Sequence, residues 1–176
     1  MRGYVLVGGW PGSGKTTVAR ALAEVLDCAY LAKDEVKEAL MDALGAPTSV
    51  AESRRLGRAA VEAVLRLARG CPAAVIDSTW FDYARDLVRA LPGPVLELRC
   101  HAPLQVVRSR YRARVRDPRH LDSDRSADEL WGRPVEPLGV GPLLEIDTSV
   151  AVDVSVLAAM VREALESGGV APGSAS

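Results

Sequence analysis

Two observations along the 176-residue chain predict an α/β fold in which helices cover both faces of a parallel sheet. Short, near-continuously apolar runs alternate with longer amphipathic stretches at helical spacing, as expected for strands buried on both sides and joined by crossover helices. The first apolar run also leads straight into a glycine-rich turn and a helical stretch, Val5-Leu6-Val7-Gly8-Gly9-Trp10-Pro11-Gly12-Ser13-Gly14-Lys15-Thr16-Thr17. Strands are expected at 4–8, 29–32, 73–77, 94–100 and 143–147, and helices at 14–26, 34–44, 50–69, 83–90, 104–116 and 153–166. Residues 1–166 form one expected domain, and the Gly/Ser/Ala/Pro-rich stretch 167–176 is expected to be a disordered tail.

The glycine-rich turn has the full pattern G-x-x-x-x-G-K-T between a strand and a helix, the context that a phosphate-binding loop requires. Gly9, Gly12 and Gly14 lack a Cβ, so the backbone through Pro11 and Ser13 can turn its N–H groups inward around a polyphosphate. The following helix contributes the positive end of its dipole. Lys15 supplies a cation for the β- and γ-phosphates, and the Thr16 hydroxyl is placed to ligate Mg²⁺. Thr17 reads as a helix residue beside the α-phosphate.

Composition narrows the classes of function. An apolar content of 48% with 26% charge suits one globular core, and a formal net charge of −1 argues against a nucleic-acid scaffold working by bulk charge. Cys28, Cys71 and Cys100 form no CxxC pair and are odd in number, which fits a reducing compartment better than a disulfide framework. No apolar run approaches transmembrane length and no signal-peptide pattern precedes the first strand, so a cytoplasmic protein without membrane partners is expected.

In such sheets ligands bind at the carboxyl ends of the strands, which directs attention to Lys33-Asp34, Asp77-Ser78-Thr79 and Asp147-Thr148. Asp34 follows the second strand, where its carboxylate would lie near the γ-phosphate and deprotonate an acceptor hydroxyl. The alternative is a helix N-cap, with Glu35 in the favoured first turn. Lys33 is either a phosphate contact or a solvated end residue. Asp77 ends the run Ala73-Ala74-Val75-Ile76 in the manner of a Walker B aspartate that holds Mg²⁺ through water, or else closes a turn with Ser78 and Thr79. Asp82 has the place of an N-cap for the next helix.

The stretch 104–116 carries five arginines, with an apolar stripe of Leu104, Val107, Tyr111 and Val115. Arg110 and Arg114 fall on one ridge, Arg108 and Arg112 on another. Such a run is either a solvated basic face or a grip on a triphosphate, whose guanidinium forks meet charge building in the transition state. The polar, turn-rich continuation from Asp117 to Arg125 suits a lid, spanning about 104–133, with Arg119 and Arg125 as further candidate anion contacts. Trp10 and Trp80 stand where they would either line an acceptor pocket or pack.

Taken together, Gly9 to Thr16, Lys33-Asp34-Glu35, Asp77-Ser78-Thr79 and Arg110-Tyr111-Arg112-Ala113-Arg114 resemble the AAA-type small P-loop kinases, relatives of gluconate kinase, chloramphenicol phosphotransferase and the kinase half of polynucleotide kinase. The resemblance implies a three-layer α/β/α P-loop fold, a five-stranded parallel sheet of order 2-3-1-4-5 and a helical lid. It implies ATP and Mg²⁺ as cofactors and a small-molecule hydroxyl acceptor in a monomer or homodimer. Asp34 matches the acidic residue that activates the acceptor. Arg110 and Arg114 match the R-x-x-x-R lid arginines, with Arg110 also at the nucleotide, and Asp147-Thr148-Ser149 falls where the loop beside the adenine forms. The two tryptophans favour a planar, antibiotic- or nucleoside-like acceptor. A polynucleotide 5′-hydroxyl kinase and a regulatory ATPase without an acceptor are the rival readings. A GTPase switch is disfavoured because no N-K-x-D stretch follows a strand.

Overall fold

In the computed structural model, which describes residues 1–114, 117–121 and 125–168, every expected strand forms. The strands are β1 (Gly3–Gly8), β2 (Ala29–Ala32), β3 (Ala73–Asp77), β4 (Val95–His101) and β5 (Leu143–Asp147). They pair in parallel throughout, in the order β2-β3-β1-β4-β5. The helices are α1 (Lys15–Leu26), α2 (Lys33–Leu44), α3 (Val50–Ala68), α4 (Arg85–Arg89), α5 (Leu104–Ala113), α6 (Ala127–Trp131) and α7 (Val154–Gly168).

The central strand β1 is buried along its whole length, and its alternation divides the core in two. Val5 and Val7 meet Val18 and Leu22 of α1 and Leu157 and Val161 of α7 on one face. Tyr4 and Leu6 meet Val61 and Leu65 of α3 and Val88 of α4 on the other. This two-sided burial is why the strands read as continuous apolar runs. Each fully buried Leu or Val contributes about 1.5–3 kcal/mol of transfer free energy.

Several boundaries differ from expectation, each for a local reason. The helix expected at 83–90 is split into a 3₁₀ turn, Asp82–Ala84, followed by α4. Asp82 therefore sits inside the turn, paired with Arg85 at 2.8 Å, and is not the N-cap. α5 stops at Ala113: Arg114 has extended backbone (φ −76°, ψ 137°), so it leaves the ridge it was expected to share with Arg110. Among the described residues of the expected apolar stripe, only Val107 is fully buried, and Leu104 stays exposed. Val115 and Arg116 lie outside the described residues. α7 continues through Ser167 and Gly168, two residues into the expected tail, and residues 169–176 also fall outside the description. Helix α6 was not expected. Its signal was present as a capping box, in which Ser126 Oγ accepts from Glu129 N–H while the Glu129 carboxylate accepts from Ser126 N–H.

One buried carboxylate governs how the chain returns to β5. Glu97 of β4 is 5% exposed and accepts the Leu138 N–H at 2.5 Å and the Val140 N–H at 2.8 Å. Replacing Glu97 by Ala strands two backbone donors in a dry setting, where each unsatisfied group costs about 1–3 kcal/mol. Chemical denaturation should show the variant less stable by roughly 2–5 kcal/mol. An unchanged midpoint would mean that water replaces the carboxylate.

Candidate active site

Register brings the functional residues to one edge of the sheet. Asp77 at the end of β3 is paired with Val7 on one side and Ala32 on the other, so the glycine-rich turn, Lys33-Asp34 and Asp77 start from the same level. At the other side of the site, His101 of β4 is paired with Asp147 of β5, which sets Thr148 beside the turn.

The turn itself needs its glycines for tertiary as well as local reasons. Gly9, Gly12 and Gly14 have φ of 140°, 90° and 81°, a region that L side chains rarely adopt. A Cβ on Gly9 would stand 2.3 Å from the Cys100 carbonyl of β4, and one on Gly12 would stand within 2.4 Å of the Val107 carbonyl of α5. The loop is thus packed backbone-to-backbone against β4 and the arginine-bearing helix. Gly14 occupies the N-cap of α1, leaving the first-turn N–H groups for an anion. Within the loop, Ser13 N–H donates to the Trp10 carbonyl at 3.0 Å, and the buried Ser13 Oγ has no hydrogen-bond partner among the described residues.

Lys15 lies in a group of charges that the sequence scatters over a hundred positions. Desolvation lowers its ammonium below the ordinary lysine value. Asp77 and Asp34 oppose that shift, while Arg114 and Lys33 add to it. Lys15 therefore lies in the field of four other residues singled out from sequence. Among the described residues Lys15 Nζ donates to the Trp10 carbonyl, at 3.5 Å. Thr16 and Thr17 are exposed in the first turn of α1.

Asp34 does not cap α2. The helix begins at Lys33 with Ala32 at the N-cap, so Asp34 is the second helical residue, in 2.5 Å contact with Lys33 Nζ. The N-cap alternative does not hold: the carboxylate lies two positions past the N-cap. Lys33 correspondingly pairs with Asp34 and is not merely solvated.

Asp77 is 6% exposed, and its two oxygens differ. Oδ2 accepts the Tyr30 hydroxyl at 3.3 Å, whereas Oδ1 is buried without a hydrogen-bond partner among the described residues. Burial, reinforced by Asp77, pushes the Tyr30 phenol up to about 12. A half-satisfied carboxylate and an open threonine hydroxyl are hard oxygen donors of the kind Mg²⁺ takes, so these residues fit that ion. Among the described residues no cluster of three or more His, Cys, Asp or Glu offers a metal site of the protein's own.

The two lid arginines part company. Arg110 reaches across to Thr148, donating from Nη2 to its carbonyl at 2.8 Å and from Nη1 to its hydroxyl at 3.3 Å. Thr148 Oγ1 in turn donates to the Ser13 carbonyl at 2.7 Å, tying the loop after β5 to the glycine-rich turn. Asp147 holds the same loop by accepting Ser149 N–H at 2.8 Å, and hydrogen bonds from Ser149 keep its carboxyl below the usual range. Arg114 instead stacks over the Tyr111 ring at 4.2 Å and contributes to the field at Lys15.

Other expected contacts are engaged elsewhere. Arg119 pairs with Asp117 and, at 2.7 Å, with Asp42 of α2, so it is not turned to an anion, and Arg119 holds the Asp117 carboxyl at about 2. Trp10 Nε1 donates to the Arg133 carbonyl at 2.9 Å, and Trp131 Nε1 to the Pro11 carbonyl at 3.3 Å, which fastens the segment after α5 onto the loop. Trp80 is buried, donates to the Val7 carbonyl at 3.1 Å and lines a small cleft with Gly8, Gly9 and Glu136. Arg125 has a buried Nε with no partner among the described residues.

Sequence reasoning missed Tyr30, and also the link between α2, α3 and the segment after α5. Lys37, one turn beyond Asp34, is buried and donates to Ser53 Oγ at 2.6 Å. The equally buried His120 pairs with Glu38 at 2.8 Å. The scarcity of lysine and histidine in an arginine-rich chain was the available signal. Contacts across eighty positions are not legible from spacing.

Comparison with known proteins agrees with this geometry. Uncharacterised proteins of Mycobacterium tuberculosis and Mycobacterium bovis are 36% identical over 125 residues, covering 62% of this chain and 25% of theirs, so the chain spans about a quarter of the length of those relatives. Among solved structures, a candidate kinase from Chloroflexus aurantiacus superposes with a TM-score of 0.81 at 29% identity, covering 93% of this chain and 98% of that one. The Mycobacterium tuberculosis APS kinase in complex with AMPPNP and APS superposes with a TM-score of 0.59 at 24% identity, covering 94% and 98%. A Janibacter sugar kinase does so at 0.57 and 22% identity over 100% and 99%. With the AAA domain family matching residues 5–131 and the sheet order, loop and strand-end residues as described, the chain belongs to that family and has the P-loop kinase fold.

Proposed function

We propose that the protein is an ATP- and Mg²⁺-dependent phosphotransferase that moves the γ-phosphoryl group of ATP to a hydroxyl of a small molecule. The observation that carries this reading is Asp34: a carboxylate at the phosphate end of the sheet that caps no helix and lies in the electrostatic neighbourhood of Lys15. An attacking hydroxyl, whether of water or of an alcohol, must lose a proton, and the acceptor screen below separates the two. An acceptor alcohol needs a base.

In this mechanism the loop N–H groups and Lys15 hold the phosphate oxygens, and Thr16 and Asp77 would hold the metal ion. When bound, that ion neutralises charge on the β- and γ-oxygens. Asp34 takes the proton of the acceptor hydroxyl as its oxygen bonds to the γ-phosphorus. The bond from that phosphorus to the β–γ bridging oxygen breaks, and ADP leaves. Arg114 meets the charge spread over the transferring group, and Arg110 with Asp147 and Thr148 shapes the nucleotide end. The segment 104–133 acts as a lid that keeps water from competing with the alcohol.

The neighbours named as APS and sugar kinases act on small hydroxyl compounds. A planar acceptor of antibiotic or nucleoside type is our reading here. The protein is taken as cytoplasmic, in keeping with the finding that no described helix is long and apolar enough to cross a membrane. The deciding experiment is a screen for acceptor-stimulated ADP release against nucleosides, aminoglycosides, phenicols, sugars and short 5′-hydroxyl oligonucleotides. A rate raised by one small-molecule class over the water background supports the reading. Stimulation by oligonucleotides alone would replace it with a polynucleotide kinase, and no stimulation at all with a nucleotide-hydrolysing module.

The separation of Arg110 from Arg114 makes a further expectation. Arg114→Ala should lower the transfer rate by about 10²-fold with little change in ATP affinity, because its contact acts on the transition state. Arg110→Ala should weaken ATP binding roughly tenfold, the value of a charged hydrogen bond, with a smaller effect on the rate. Arg112→Ala should do neither. Equal small effects at all three positions in steady-state kinetics would show a solvated basic face.

A further inference from the structure

We infer that Tyr30 is a positioning residue for Asp77, its hydroxyl fixing Oδ2 so that Oδ1 is the oxygen offered to the metal–nucleotide. This rests on the proposed reading of Asp77 as a residue that holds Mg²⁺. The register pairs Tyr30 with Val75, which puts the Tyr30 side chain on the same face of the sheet as Asp77, two residues further along β3. The phenol reaches Oδ2 at 3.3 Å while Oδ1 stays buried and unpartnered among the described residues.

Two features make this more than incidental packing. The donor is a neutral hydroxyl, so it restrains the carboxylate without cancelling the charge that a cation needs. A lysine or arginine in its place would do both. Arg20 of α1 lies 5.0 Å over the Tyr30 ring and pairs at 2.8 Å with Glu35. Arg20 lies one helical turn after Thr16, the other residue proposed to face the metal, so the same aromatic ring packs against the helix that carries Thr16. A carboxylate held by one oxygen has less freedom to lose when the ion binds.

The test is Mn²⁺ binding followed by electron paramagnetic resonance in the presence of ADP, on the full chain, for Tyr30→Phe, Asp77→Asn and the double variant. Phenylalanine keeps the ring and its contact with Arg20, and circular dichroism checks that the fold is retained. Tyr30→Phe should bind Mn²⁺–ADP roughly tenfold more weakly, the lower range for loss of an outer-shell partner. Its affinity for ADP without metal should be that of the wild type. The double variant should bind no more weakly than Asp77→Asn alone. Wild-type Mn²⁺ affinity in Tyr30→Phe overturns the inference, as do equal losses with and without metal or additive losses in the double variant. If Asp77→Asn itself leaves Mn²⁺ binding unchanged, the metal reading of Asp77 falls, and this inference with it.

Discussion

Lys15→Met should abolish most phosphoryl transfer, by roughly 10²-fold or more, while leaving the nucleotide-free protein as stable as the wild type or more so. The two halves of this expectation have one cause. Lys15 is held where desolvation outweighs the attraction of Asp77 and Asp34, so the free protein tolerates a charge for which only a bound polyphosphate compensates. Methionine keeps the apolar stem and removes the charge. The sign of the pH dependence follows from the depressed lysine value. Between that value and the ordinary 10.5, the unfolded chain binds more protons than the folded one, so this group makes wild-type stability rise with pH across the window. The stability difference between Lys15→Met and the wild type should therefore shrink as pH rises through it. Thermal melts over pH, paired with single-turnover transfer, measure both halves. Turnover near wild type in the Met variant would remove Lys15 from the chemistry.

Asp34→Asn should reduce transfer by about 10²- to 10⁴-fold with little change in stability or in ATP affinity. The asparagine amide can still contact solvent at the second position of α2, and no capping hydrogen bond is lost because Ala32 occupies the N-cap. What is lost is the proton acceptor, together with the 2.5 Å pairing to Lys33, which is partly exposed and worth little by itself. Rapid-quench measurement of transfer to the acceptor found by the screen, beside the acceptor-free ATP hydrolysis rate, separates the roles. A base for the alcohol should spare most of the water reaction. If both rates fall equally, Asp34 organises phosphate or metal instead. If neither falls, Asp34 has a structural role, its pairing with Lys33 included.

The sequence determined by itself those features that depend on neighbouring residues. The runs of β1 and β3 are apolar because both of their faces are covered, and all five strands lie within a residue of where the apolar runs predict them. The glycine-rich loop was legible because the conformations it needs are nearly forbidden to other residues. Positions such as Asp77 and Asp34 were legible as candidates because a parallel sheet puts polar strand ends together.

Tertiary structure decided which of these candidates meet, and with what. Spacing put Arg110 and Arg114 on one ridge, yet α5 ends at Ala113 and the two arginines take different partners, Arg110 at Thr148 and Arg114 over the Tyr111 ring. Gly12 answers to the Val107 carbonyl as much as to its own dihedrals, an approach set by how α5 packs. Tyr30 looked like one more strand residue until the β2–β3 register placed it on Asp77. The same holds for Glu97, whose carboxylate pins the chain forty-one and forty-three positions on. Local periodicity fixes where side chains point within an element. The partners they find across the sheet depend on register and packing, which are properties of the whole chain.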